Sequence, residues 1–133
     1  MPHSRKAAVG RAIIGAFVVA FFIKFFLIDF MVAEGHSMDP AIKGGTILFV
    51  SRVFYGIRLP WSGNYIVQWR TVREGDVVVF YTPHGDIAVK RCEEILPDGM
   101  FYAKGDNSSQ SYDSRNYGPI PKNSIIGRVL GIR

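Results

Sequence analysis

The hydrophobic and polar positions divide the chain into two parts. From Ala12 to Ala33 the sequence is apolar except for Lys24 and Asp29. As a helix this stretch would reach about 33 Å, close to the roughly 30 Å hydrocarbon core of a bilayer, and it predicts one transmembrane helix. A cleavable leader would share the basic start and the unbroken run Ala12–Ile23. However, Phe25-Phe26-Leu27-Ile28 continues the run, and no small-x-small site closes it. Lys24 and Asp29 fall in the outer half, where long side chains reach the interface.

Beyond Ala33 the pattern changes to short apolar runs between turn residues. Gly44-Gly45 marks a turn before a strand over Thr46–Ser51, and Arg73-Glu74-Gly75-Asp76 launches Val77–Tyr81, a continuous apolar run expected of a strand buried on both faces. Thr82-Pro83-His84-Gly85 then reverses the chain into Asp86–Arg91, whose alternation sets Ala88 and Lys90 on one face and Ile87 and Val89 on the other. Pro97-Asp98-Gly99 is a further turn, Met100–Lys104 another strand, and Ile125–Ile132 a last strand interrupted by Gly127 and Gly131. Between these lies Val53–Trp69, with Phe54, Tyr55, Trp61, Tyr65 and Trp69 around a Leu59-Pro60 break and a Ser62-Gly63-Asn64 turn. Those aromatics suit either a lipid-interface belt or core and strand-edge packing; packing is the favoured reading, with Trp61 the expected lipid contact. Short strands, Gly and Pro turns and little helical periodicity predict a mostly β fold, a small coiled sheet or barrel preceded by the one helix.

Charge and cysteine content narrow the function classes. The net charge of +5 is uneven: Arg5, Lys6 and Arg11 precede the apolar run with no acidic group, which leaves +2 for the remainder. Residues 1–11 are thus expected as a basic cytoplasmic tail, 12–33 as the membrane helix and 34–133 as one extracytoplasmic domain. A nucleic-acid binder would spread its basic residues over the folded part, interleaved with aromatics, so no nucleic-acid partner is expected. The single cysteine, Cys92, excludes an internal disulfide and reads as core.

One serine stands between the apolar run and the globular part, in Gly35-His36-Ser37-Met38-Asp39-Pro40. A serine hydroxyl attacks poorly until a base takes its proton, and the candidate base is Lys90, since an amine in partly apolar surroundings can lose its charge. His36 adjoins Ser37, but neighbours on an extended strand face opposite ways, so a structural or exposed role is expected for it. His84 lies in a turn and His3 in the tail. No Cys and His cluster has metal-ligand spacing, so neither a metal nor another cofactor is expected.

A third stretch, Gly105-Asp106-Asn107-Ser108-Ser109-Gln110-Ser111-Tyr112-Asp113-Ser114-Arg115, taken alone is a loop. Taken in order with the apolar exit Phe25–Val32, the serine box, Tyr55–Pro60, Arg73–Phe80, Lys90-Arg91 and Gly118-Pro119-Ile120-Pro121, it resembles the type I signal peptidases, membrane-bound proteases with a Ser-Lys dyad. The resemblance runs from about Ile23 to the C-terminus. It implies Ser37 as nucleophile and Lys90 as general base, with Gly35, Met38 and Pro40 shaping the oxyanion and substrate-positioning region. It also implies a supporting loop made by Asp106, Asn107, Ser111, Asp113 and Arg115, in which Ser111 orients the lysine and Asp113 pairs with Arg115.

The implied activity is the removal of signal peptides from exported proteins after small residues. The partners would be preproteins and the lipid bilayer, and the location the cytoplasmic (inner) membrane, single-pass with the N-terminus inside. In one place the chain differs from some members of the family and resembles others, and in two it departs from the family pattern. Gly35 stands where some members have a serine whose hydroxyl is the second oxyanion donor, so a backbone amide or water must substitute. Ser108 replaces a common arginine, which bears on loop rigidity. Glu93–Gly99 replaces a glycine-rich turn and a large inserted β domain. Alternatives are a specialised relative, mitochondrial or conjugation-linked, and a catalytically silent peptide-binding membrane protein; retention of Ser37 and Lys90 counts against the silent protein. Self-cleaving repressors share the dyad but carry a DNA-binding domain that this chain lacks.

Overall fold

The computed structural model describes residues 2–59 and 61–131. Pro60 of the expected Leu59-Pro60 break and Ile132 of the expected last strand lie outside the described residues. Helix α1, Pro2–Phe22, runs into one π-helical stretch, Ile23–Leu27, and Ser4–Leu27 is long and apolar enough to cross a membrane. Its large apolar side chains are mostly exposed.

The helix ends earlier than expected. Instead of continuing to Ala33 it stops at Leu27, and Ile28–Val32 form strand β1, paired antiparallel with β2, Ile47–Ser51. The strand gives the Asp29 carboxylate partners: it pairs with Arg52 and accepts from the Phe30 N–H. The alternation of Ile28–Val32 also suits a sheet, since Met31 packs on the core while Phe30 and Val32 stay exposed.

The remaining elements are β3 (Gly56–Arg58), β4 (Tyr65–Gln68), β5 (Val77–Tyr81), β6 (Ile87–Ile95), β7 (Met100–Lys104), the short helix α2 (Ser114–Tyr117), β8 (Ile120–Pro121) and β9 (Ile125–Leu130). Seven strands make one antiparallel sheet in the order β1-β2-β9-β5-β6-β7-β8, and β3–β4 form a separate hairpin. The mostly β architecture is the one expected.

Apolar clusters form on both sides of the central strands. Val78 and Phe80 face Tyr55, Cys92, Phe101 and Ile120, while Val77 and Val79 face Met38, Ile42, Leu48 and Val129. That two-sided burial explains why β5 reads as a continuous apolar run. Among the aromatics of Val53–Trp69, Tyr55 is buried and Phe54 and Tyr65 pack partly against the core, while Trp61 and Trp69 are exposed. The Phe54 ring is covered by the guanidinium groups of Arg70 and Arg128, 4.9 and 4.4 Å from its centroid.

Candidate active site

Lys90 is delivered by β6, directly opposite Val78 of β5, and is only 7% exposed. Ser37 is delivered by a turn rather than by the extended backbone expected around His36. Met38 anchors this turn in the core, and the Ile42 N–H donates to the Met38 carbonyl at 2.9 Å. Gly35 begins it with φ 73°, a left-handed conformation that suits glycine. Gly44 must lack a side chain, because a Cβ there would come within 2.9 Å of the Gly35 carbonyl oxygen. Pro40 follows a cis Asp39–Pro40 bond on the exposed side of the turn. The result places Lys90 Nζ 2.6 Å from Ser37 Oγ across 53 residues of sequence.

The Gly-Asp-Asn loop fixes the turn from behind. The Asn107 N–H donates to the Ser37 carbonyl at 2.9 Å, and Asn107 Nδ2 donates to the His36 carbonyl at 3.0 Å. Gly105 packs so close that a Cβ would lie 2.5 Å from the Ser37 carbonyl oxygen and closer still to Ser111 Oγ. Asp106 accepts from Arg91 Nε and Nη2, at 2.9 and 2.7 Å, while Arg91 Nη1 donates to the Gly75 carbonyl at 2.9 Å. Arg91 thus links the strand carrying Lys90 to the loop behind Ser37.

Asp113 is fully buried and accepts from Ser111 Oγ at 2.6 Å, the Gly105 N–H at 2.9 Å and the Arg115 N–H at 3.2 Å. The Arg115 guanidinium grips it through two bonds, at 2.9 and 3.0 Å. Burial alone would raise the Asp113 pKa. The Arg115 fork and the other donors outweigh it and hold the carboxyl well below the usual carboxylate range. Arg115 also donates to the Ser108 carbonyl at 2.8 Å, so the loop is tied down although Ser108 replaces an arginine.

The resemblance implies that Ser111 orients the lysine; here its hydroxyl donates to Asp113, and among the described residues Lys90 Nζ hydrogen-bonds to Ser37 alone. The aspartate is the stronger acceptor because it is charged and buried.

Burial lowers the Lys90 pKa. Asp113 works against this and Arg115 with it, so the Arg115 fork limits the pull of the buried carboxylate on the amine. The distance between Nζ and Oγ is that required for direct proton transfer. His36 takes no part in the pair: its ring is exposed and its Nδ1 lies 3.0 Å from Asp39 Oδ2. Among the described residues the Ser37 N–H donates to no backbone carbonyl. Among the same residues, no group of three or more His, Cys, Asp or Glu could hold a metal ion.

A cleft of about 360 Å³ opens over the pair, bounded by Met31 to Gly35 on one side and Ile87 to Val89 on the other, with Tyr112 at the rim. A separate cavity of about 520 Å³ lies where Phe25–Leu27 of the helix meets Arg52, Arg58 and Trp61.

Two residues gain roles that the sequence motifs containing them do not assign, Gly105 and Arg91. A glycine inside a polar loop that must pack against another loop is the available signal for Gly105. Nothing in the sequence shows that Arg91 reaches Asp106.

Comparison with known proteins places the chain in a family. The family model "Signal peptidase, peptidase S26" matches residues 6–94 and 86–132. Mitochondrial inner membrane protease subunit 1 of Mus musculus is 33% identical over 112 residues, which cover 75% of this chain and 66% of that protein. Mitochondrial ATP-independent inner membrane protease subunit 1b of Arabidopsis thaliana is 32% identical over 114 residues, covering 74% and 65%. Signal peptidase I of Buchnera aphidicola is 37% identical over 68 residues, covering 50% of this chain and 22% of that protein. The chain spans just under two thirds of the length of the inner membrane protease subunits it matches, 66% and 65%. Matched over nearly its whole length and built as a small antiparallel sheet with an apolar N-terminal helix, the chain belongs to the signal peptidase family, peptidase S26.

Proposed function

We propose that the chain is a membrane-anchored serine endopeptidase that removes N-terminal signal peptides through an acyl-enzyme on Ser37, with Lys90 as general base and then general acid. The observation that carries this reading is the 2.6 Å approach of a buried amine to a serine hydroxyl that has no other partner among the described residues. The amine, in the neutral form that burial favours, takes the Ser37 Oγ proton as Oγ bonds to the scissile carbonyl carbon. The negative charge moves to the carbonyl oxygen, where the Ser37 N–H is a donor in reach; since Gly35 has no hydroxyl, a water or another amide completes the pair. On collapse the C–N bond breaks and the leaving amine takes the proton from Nζ. Water then repeats the sequence on the ester, giving its proton to Lys90 and releasing the carboxylate and Ser37.

The substrate enters as an extended strand between β1 and the first half of β6. That half is open, because β7 pairs with β6 only from Arg91 onward. Residues one and three before the cut point toward Met31, Ala33 and Val89, which pack on the core and leave space for small side chains. The helix crosses the membrane with the basic tail in the cytoplasm, and the sheet stands on the other side. Phe30, Val32, Ile47, Phe49 and Trp61, all exposed, support contact with the lipid surface.

The extent of the matches favours one refinement, a specialised processing peptidase like the mitochondrial inner membrane subunits, because those similarities span about three quarters of this chain and the bacterial signal peptidase match half. Incubating the purified protein with a preprotein and sequencing the new N-terminus tests the reading. Cleavage after a small residue, lost in Ser37→Ala, is expected; an uncut preprotein panel refutes it.

A further inference from the structure

We propose that Glu34 selects the substrate residue lying between the two small ones, second before the cut, favouring a basic side chain and opposing an acidic one. The proposal rests on the peptidase reading above for its register.

The backbone of β1 sets the geometry. The Arg52 N–H donates to the Leu27 carbonyl and the Ala33 N–H to the Thr46 carbonyl, each at 2.9 Å, while the Gly45 N–H donates to the Ala33 carbonyl at 2.8 Å. Odd-numbered residues therefore spend their backbone groups on β2, and in an antiparallel ladder Phe30, Val32 and Glu34 turn theirs to the open edge. Among the described residues no backbone hydrogen bond engages Glu34. A peptide added at this edge pairs with Glu34, and paired residues on adjacent strands share a face.

That face is the outer one. Met31 and Ala33 pack on the core, whereas Val32 is 60% exposed and Glu34 is exposed. If the first and third residues before the cut enter on the side of Met31 and Ala33, the second stands beside Glu34. Its carboxylate takes part in no ion pair among the described residues, and the nearest imidazole in sequence, His36, is turned to Asp39. The other charged side chain lining the cleft, Lys90, points to Ser37. A substrate crossing the cleft meets Glu34 as an unmatched negative charge.

A partly exposed pair of this kind changes rates by a few-fold per charge, so Lys over Glu at that substrate position should amount to about tenfold at low ionic strength, collapsing at about 1 M salt. The test uses the full chain in detergent and fluorogenic peptides Ala-x-Ala with x as Lys, Gln or Glu, read as kcat/KM. Wild type should rank Lys above Gln above Glu, Glu34→Gln should flatten the order and Glu34→Lys should invert it. The same peptides are titrated by fluorescence anisotropy onto Ser37→Ala, alone and combined with each Glu34 variant. An order unchanged by Glu34→Gln overturns the proposal while cleavage keeps the peptidase reading. Uncut peptides whose binding order still follows the charge at position 34 support the role of Glu34 and refute the peptidase reading instead. Peptides neither bound nor cut refute both.

Discussion

Adding one methyl group at Gly105 is the sharpest probe of how the loop positions the nucleophile. In Gly105→Ala the new Cβ would lie 2.5 Å from the Ser37 carbonyl oxygen, about 0.9 Å short of the 3.4 Å of an ordinary contact, and closer still to Ser111 Oγ. Neither neighbour can retreat freely, because the Ser37 carbonyl accepts from Asn107 and Ser111 is bonded to buried Asp113. Ser37 must therefore move by the better part of an ångström relative to Lys90. Displacements of about 1 Å cost roughly 100-fold in rate, and overpacking of this kind costs about 1–3 kcal/mol of stability. Gly127→Ala is the matched control: its Cβ would meet the Ser51 carbonyl oxygen at 2.5 Å, the same approach to a backbone oxygen, in the sheet. The assay is kcat/KM on an Ala-x-Ala peptide, normalised to folded protein by near-UV circular dichroism, beside thermal melts. Both variants should melt lower, but only Gly105→Ala should lose the roughly 100-fold in rate. Full activity in folded Gly105→Ala, or an equal loss in Gly127→Ala, would refute the claim that this contact positions Ser37.

Lys90→Arg keeps length and charge but supplies a group that stays protonated, so its activity should be as low as that of Ser37→Ala, with the double variant little worse; steady-state kinetics decides this. Because burial lowers the Lys90 pKa, the wild-type rate should rise with pH through that depressed value as the neutral amine forms, and a rate falling over that limb would contradict its role as base. Asp113→Asn should cost about 2–3 kcal/mol in denaturant melts, since it breaks a buried, fully bonded carboxylate. The Asp113 pKa is depressed in the folded state, so the stability it contributes is present above the ordinary carboxylate pKa and lost as pH falls below it; an acid titration should find the wild type losing this margin and Asp113→Asn lacking it. Leu or Phe at the first or third substrate position should be cut far more slowly than Ala, and equal rates would refute the assignment of the groove.

Local rules carry much of this. The apolar run, the two-sided burial of Val77–Tyr81 and the turns at Gly44-Gly45 and Pro97-Asp98-Gly99 follow from hydropathy and glycine chemistry within a few residues, so the sequence by itself determined these features and the mostly β class. Ser37 and Lys90 are legible as candidates because motif order constrains them. Their 2.6 Å approach is not legible, since strand order β5-β6 and the Met38 anchor produce it through contacts distant in sequence.

The end of the helix escapes the sequence for a related reason. Hydropathy cannot distinguish an apolar strand continuing from a membrane helix from more of the same helix, and the partner of Asp29 is Arg52, just beyond the neighbouring strand. Similarly, Ser111 turns to Asp113 because folding buries that carboxylate, and Gly105 matters because a second loop lies against it. Composition and spacing decide which short segments form and what chemistry they carry. Only the tertiary structure decides which charge is buried and which hydroxyl meets which partner, because those depend on desolvation and contact between segments that the sequence holds apart.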